Sequence, residues 1–154
     1  MMLEVGNTVA PLEGALQDGS TLTLADLRGR PVVVYFYPKD NTPGCTREAQ
    51  DFRDLYGAFR KHHCNVVGVS RDSVASHAKF RQKQEIPFPL IADTDERWCR
   101  AFDVLGEKTL YGKRHIGVIR STFLIDPEGV LIAQWRGTKV SGHAAAVLER
   151  LAQS

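Results

Sequence analysis

The chain has 154 residues, 43% of them hydrophobic and 25% charged, with a formal net charge of +2. That length and balance predict one domain over 1–154 with room for a substantial core, and so small a net charge argues against nucleic acid as a partner. The longest uninterrupted apolar run is about six residues, far short of the roughly twenty that cross a bilayer, and Met1–Gly6 has neither the basic nor the apolar region of a secretory signal.

In chain order, Asp18-Gly19-Ser20 is a turn signal, and the alternation Thr21-Leu22-Thr23-Leu24 after it predicts a short N-terminal β-hairpin. The apolar run Val32–Tyr37 reads as a buried strand. After it, Cys45, Ala49, Phe52, Tyr56 and Phe59 recur at spacings of four and three, predicting a helix from Thr42 to about His62. A second strand covers Val66–Ser70, and a helix from about Asp72 to Gln84 stops before Pro87 and Pro89. Leu90-Ile91-Ala92 is a short strand, followed by a small helix around Glu96–Phe102. Gly106–Gly117 shows no clear element and reads as a loop. Strands Ser121–Asp126 and Val130–Trp135 flank the turn Pro127-Glu128-Gly129. Ser141 caps a last helix with Ala144, Val147, Leu148 and Leu151 on its apolar face. Strands alternating with helices, then a hairpin and a final helix, predict an α/β fold whose central mixed sheet is flanked by helices.

The three cysteines, Cys45, Cys64 and Cys99, are widely spaced, and none belongs to a Cys-x-x-Cys pair. That is neither a disulfide framework nor a zinc site, and it suits a reducing cytoplasm. Cys45 stands out by position. Thr42 is a good N-cap and Pro43 a good first helical residue, so Cys45 falls in the first turn of the helix. Unpaired backbone N–H groups and the helix dipole there favour thiolate over thiol. His62, His63 and Cys64 lack a fourth metal ligand and fit a helix C-terminus better. His77, His115 and His143 match no ligand spacing, so neither a metal nor another cofactor is expected.

Pro38-Lys39-Asp40-Asn41-Thr42-Pro43-Gly44-Cys45 resembles the Pro-x-x-x-Thr-x-x-Cys active-site signature of the peroxiredoxins, and Glu48 follows as it commonly does in that family. Arg120-Ser121-Thr122-Phe123 is similar to the family's arginine segment. The likeness runs from Val32 through Trp135 and is greatest with the bacterioferritin comigratory protein, or peroxiredoxin Q, branch. The resemblance implies a thioredoxin-like fold and a thiol-dependent peroxidase whose Cys45 thiolate becomes a sulfenic acid. It implies that Arg120 holds the thiolate and the separating peroxide oxygens, that the Thr42 hydroxyl and the Gly44 and Cys45 N–H groups hydrogen-bond the peroxide, and that Pro38 shields the pocket. Glu48 either orients Arg120 or is an ordinary first-turn acid. A monomer or weak dimer is expected.

In one respect the chain departs from these relatives. Many place a resolving cysteine five residues after the reactive one, where this chain has Gln50, and others place it in the next helix, where Ala78–Lys83 contains none. Cys64 belongs at the far end of the reactive helix, too distant for a bridge, and Cys99 suits packing beside Trp98. The reading is therefore a one-cysteine cycle recycled by an external thiol, whether thioredoxin, glutaredoxin or a small thiol. The alternatives are resolution by Cys99 after local unfolding, or a peroxide sensor that uses the Cys45 sulfenic acid as a signal. Lys108, Lys113, Arg114 and His115 either form a basic rim for an anionic partner or are simply solvated.

Overall fold

A computed structural model describes residues 3–154. Strands β1 (Glu13–Leu16) and β2 (Thr21–Thr23) form the expected N-terminal hairpin, and a 3-10 turn (Leu24–Leu27) follows it. Then come β3 (Val32–Phe36), α1 (Pro43–Lys61), β4 (Asn65–Ser70), α2 (Val74–Lys83), β5 (Leu90–Ala92) and α3 (Arg97–Ala101). The chain finishes with β6 (Leu105–Leu110), β7 (Lys113–Val118), β8 (Ser121–Ile125), β9 (Leu131–Arg136) and α4 (His143–Ala152). Seven strands make one mixed sheet in the order β2-β1-β5-β4-β3-β8-β9. β3, β4 and β5 run parallel, while β8 and β9 return antiparallel beside β3.

β3 lies inside the sheet, between β4 and β8, and is buried along its whole length. Its side chains alternate between two cores, as the two-residue period of a strand requires. Val33, Tyr35 and Tyr37 face a cluster with Cys45, Ala49 and Phe52 of α1, Phe80 of α2 and Val147 of α4. Val32, Val34 and Phe36 face the opposite cluster, with Trp98, Cys99, Phe102 and Phe123. Phe52 is fully buried and stacks on Tyr35 with ring centroids 4.6 Å apart. Truncating it to alanine costs roughly 3–5 kcal/mol of stability. Helix α1 is thereby pressed onto the sheet with its first turn just beyond the C-terminal end of β3.

Two sequence readings are corrected. The segment read as a loop is a second hairpin, β6–β7, paired from Leu105↔Val118 to Leu110↔Lys113. Its two-residue turn, Tyr111-Gly112, has positive φ at both positions (54° and 77°), the backbone of a tight hairpin turn. The last helix starts at His143, with Gly142 rather than Ser141 at the cap position and a φ of 71°. No helix among the described residues is long and apolar enough to cross a membrane.

Candidate active site

Between β3 and α1 the chain runs through Pro38–Thr42, with Pro38 half-buried and Thr42 at the N-cap of α1. Pro43 supplies the first helical residue, which puts Cys45 in the first turn with 1% of its surface exposed. The N–H groups of Gly44 and Cys45 thus belong to the turn that has no carbonyl four residues back to bond.

Arg120, in the Ile119-Arg120 link between β7 and β8, reaches this turn from the neighbouring strands. One guanidinium nitrogen, Nη2, lies 3.4 Å from Cys45 Sγ, and Nη1 donates to Glu48 Oε1 at 2.6 Å. A side chain at position 44 would place its Cβ 3.2 Å from Arg120 Nη2, so glycine there lets the guanidinium close on the sulfur. Residues 72 and 75 positions apart in the chain are thereby brought together.

Glu48 is buried, and its Oε2 has no hydrogen-bond partner among the described residues. Burial pushes its carboxyl up from 4.5 to about 7, against the downward pull of Arg120. Its Oε1 is turned inward onto the guanidinium rather than outward to solvent. Thr42 is at the cap position without capping: its hydroxyl donates to the Lys39 carbonyl at 2.8 Å. Because a hydroxyl has one hydrogen, this leaves the Thr42 oxygen only its acceptor lone pairs for a ligand.

The other two cysteines lie elsewhere. Cys64 follows the C-terminus of α1, with its thiol donating to the Asn65 carbonyl at 3.3 Å. Burial pushes that thiol up to about 12. Cys99 lies in α3, in the core on the opposite face of the sheet from Cys45. Burial, and then Asp93, push its thiol far above the ordinary value.

Two features of the site were read only in part from the sequence, which named the basic residues of 106–117 without their hairpin and His77 without its partners. The β6–β7 hairpin carries a half-buried Lys108 whose ammonium is pushed down by burial and by Arg120 and pulled up by Cys45. Lys113, Arg114 and His115 of the same hairpin are exposed. Second, His77, read as isolated, lies in a polar cluster with the buried Asp40 and the half-buried Asp72, one side-chain N or O atom of each lying within 4.8 Å of the others. Single polar residues 32 and 37 positions apart give a sequence no periodic signal to find.

The family model for AhpC/TSA matches residues 5–134. Peroxiredoxin Bcp of Xanthomonas campestris is 50% identical over 150 residues, covering 97% of this chain and 94% of that protein. Peroxiredoxin Bcp of Bacillus subtilis is 46% identical over 151 residues, covering 98% and 96% respectively. Among solved structures, a cysteine-to-serine mutant of Xylella fastidiosa PrxQ superposes with a TM-score of 0.95 at 43% identity, covering 99% of this chain and 98% of that one. Trapped intermediate and ligand complexes of the X. campestris bacterioferritin comigratory protein, which concern that protein's alkyl peroxide reduction activity, give a TM-score of 0.91 at 49% identity, covering 98% and 96%. These neighbours share the thioredoxin fold. The chain therefore belongs to the AhpC/TSA family as a peroxiredoxin of the bacterioferritin comigratory type, a thiol-dependent peroxidase.

Proposed function

We propose that the chain reduces hydrogen peroxide and small organic hydroperoxides at Cys45, in a one-cysteine cycle closed by an external thiol. The observation that carries this reading is Arg120, with one nitrogen on Cys45 Sγ and the other on a buried glutamate. A guanidinium held this way favours thiolate and stays in place while charge moves.

The Cys45 thiolate attacks the terminal oxygen of the hydroperoxide. A sulfur–oxygen bond forms, the oxygen–oxygen bond breaks, and the departing alkoxide or hydroxide takes up a proton. Arg120 and the N–H groups of Gly44 and Cys45 donate to the oxygens as negative charge builds on the leaving one. The Thr42 hydroxyl, its hydrogen committed to Lys39, accepts from the peroxide O–H and so orients the terminal oxygen with its O–O bond in line with the sulfur. Pro38 covers the pocket and keeps water out. Glu48 is a positioning residue for Arg120. Lys108 adds a second cation near the departing anion.

The sulfenic acid on Cys45 is then reduced from outside. One thiol displaces water from it to give a mixed disulfide, and a second thiol releases the Cys45 thiolate as the external disulfide leaves. Two facts argue against a partner within the chain. From Cys45 to the end of α1 at Lys61 there are 16 residues, about 24 Å at 1.5 Å each, whereas a disulfide needs Cα atoms closer than roughly 7 Å. Cys99 lies across the sheet. We place the reaction in the cytoplasm, where thioredoxin, glutaredoxin and small thiols are available, and in a monomer or weak dimer.

The test is turnover. With hydrogen peroxide and excess dithiothreitol, the Cys64→Ala/Cys99→Ala double variant should sustain multiple turnovers at the wild-type rate. Loss of turnover in that variant, with the first oxidation intact, would mean that a second cysteine is needed. Stoichiometric consumption by the wild-type protein with every thiol tried would instead make it a sensor.

A further inference from the structure

The loop that precedes Cys45 is held from behind by a polar cluster to which the reaction assigns nothing. Asp40 is 4% exposed and His77 is fully buried. The Asp40 carboxylate accepts from Tyr37 Oη at 2.7 Å and from Ser76 Oγ at 2.8 Å, and its Oδ2 lies in hydrogen-bond contact with His77 Nδ1 at 2.7 Å. The other ring nitrogen, Nε2, meets the Ile91 carbonyl at 2.8 Å. Asp40 is thus fastened to Tyr37, just past β3, and to α2, and through His77 to β5. Its own N–H donates to Asp72 Oδ2 at 2.9 Å, and the same oxygen accepts from Ser70 Oγ at 2.5 Å.

That last bond has a geometric consequence. The Asp40 N–H and the Lys39 carbonyl belong to one peptide group, which is planar and rigid. On one side the plane is gripped by Asp72 through the N–H. On the other, its carbonyl takes the hydrogen of Thr42 Oγ1. The orientation of this plane therefore sets where the Thr42 hydroxyl hydrogen goes and where its lone pairs point. The next residue, Asn41, sits at φ 65°. Such backbone persists in a non-glycine residue only where its surroundings hold it, and asparagine tolerates it best.

We propose that Asp72, supported by the Asp40–His77 pair, is a positioning residue for peroxide reduction. It fixes the 39–40 peptide plane, and so aims the acceptor lone pairs of Thr42 into the site. The inference rests on the role given above to Thr42. It predicts a coupling between two side chains that do not touch and are 30 residues apart in the chain, Thr42 and Asp72.

A double-mutant cycle on the reduced full-length protein tests it, with hydrogen peroxide in stopped flow. Thr42→Val should slow the second-order reaction about tenfold, the loss of one hydrogen bond. Asp72→Ala should slow it by about three- to tenfold, while Asp72→Asn, which keeps an acceptor oxygen, should stay within about twofold of wild type. The Cys45 thiolate absorbance should be the same in all of them. Added to Thr42→Val, the Asp72→Ala change should cost nothing further. The positioning role is overturned if Thr42→Val is slow but Asp72→Ala is not, or if the two losses multiply. A wild-type rate in Thr42→Val would sink the role of Thr42 itself, and the inference with it. If circular dichroism shows Asp72→Ala unfolded, Ser70→Ala, which removes the hydroxyl that braces Asp72, enters the same cycle under the same criteria with a smaller loss.

Discussion

A buried cysteine lies at each end of helix α1, Cys45 in its first turn and Cys64 just beyond its C-terminus, and the two surroundings make opposite chemistry from the same side chain. At the N-terminus Cys45 meets a guanidinium nitrogen and a turn of unpaired N–H groups. At the C-terminus Cys64 donates its hydrogen to a carbonyl, and burial lifts its thiol to about 12. Both belong to one apolar cluster. Burial alone makes a thiol inert; what decides reactivity is the sign of the dipoles that face the sulfur.

The largest effect that follows is on the two sulfurs themselves. Cys45→Ser should abolish peroxide reduction, while Cys64→Ala should keep its rate within about twofold. Iodoacetamide should alkylate Cys45 in the folded protein orders of magnitude faster than Cys64, read by mass spectrometry. Comparable labelling of both would erase the contrast between the helix ends.

Next comes the cation. Arg120→Ala should slow peroxide attack by about 100-fold or more. It should leave the fold intact by circular dichroism. Unchanged peroxide kinetics would mean that the wrong cation has been placed in the site. Arg120→Lys should recover only part of the loss, because an ammonium cannot span sulfur and carboxylate as a planar fork does.

A smaller effect comes from Glu48. Its carboxyl is raised from 4.5 to about 7 in the folded protein, so the fold binds that proton more tightly than the unfolded chain. The resulting stability is fully present below about pH 4.5 and is lost as pH rises through about 7. Glu48→Gln has no such group. Its thermal midpoint relative to wild type should therefore climb by several degrees between those pH values. A difference that stays flat with pH would mean that the carboxyl is already ionised throughout, held down by Arg120.

Most of this was legible in the sequence because it rests on local rules. Val32–Tyr37 is too apolar and too short to be anything but a buried strand, and the spacing from Cys45 to Phe59 defines one helix face. Together they fix where the thiol sits. Arg120 was reachable only through resemblance, since nothing local ties position 120 to position 45. The β6–β7 hairpin was missed because its strands are charged, largely exposed and without clean alternation, and its turn is Tyr111-Gly112 rather than the usual Asn-Gly or Asp-Gly. Ser141 was a reasonable cap by residue type, but the chain enters α4 through the left-handed Gly142. The Asp40–His77 cluster is a product of tertiary folding, joining the end of β3 to α2, and no pattern within either segment announces it.

The most direct measurement is the fate of Cys45 after one equivalent of hydrogen peroxide, with disulfides mapped by mass spectrometry and sulfenic acid trapped by dimedone. The one-cysteine cycle predicts dimedone on Cys45 and reduced thiols at Cys64 and Cys99. An intramolecular Cys45–Cys64 or Cys45–Cys99 bridge would contradict it.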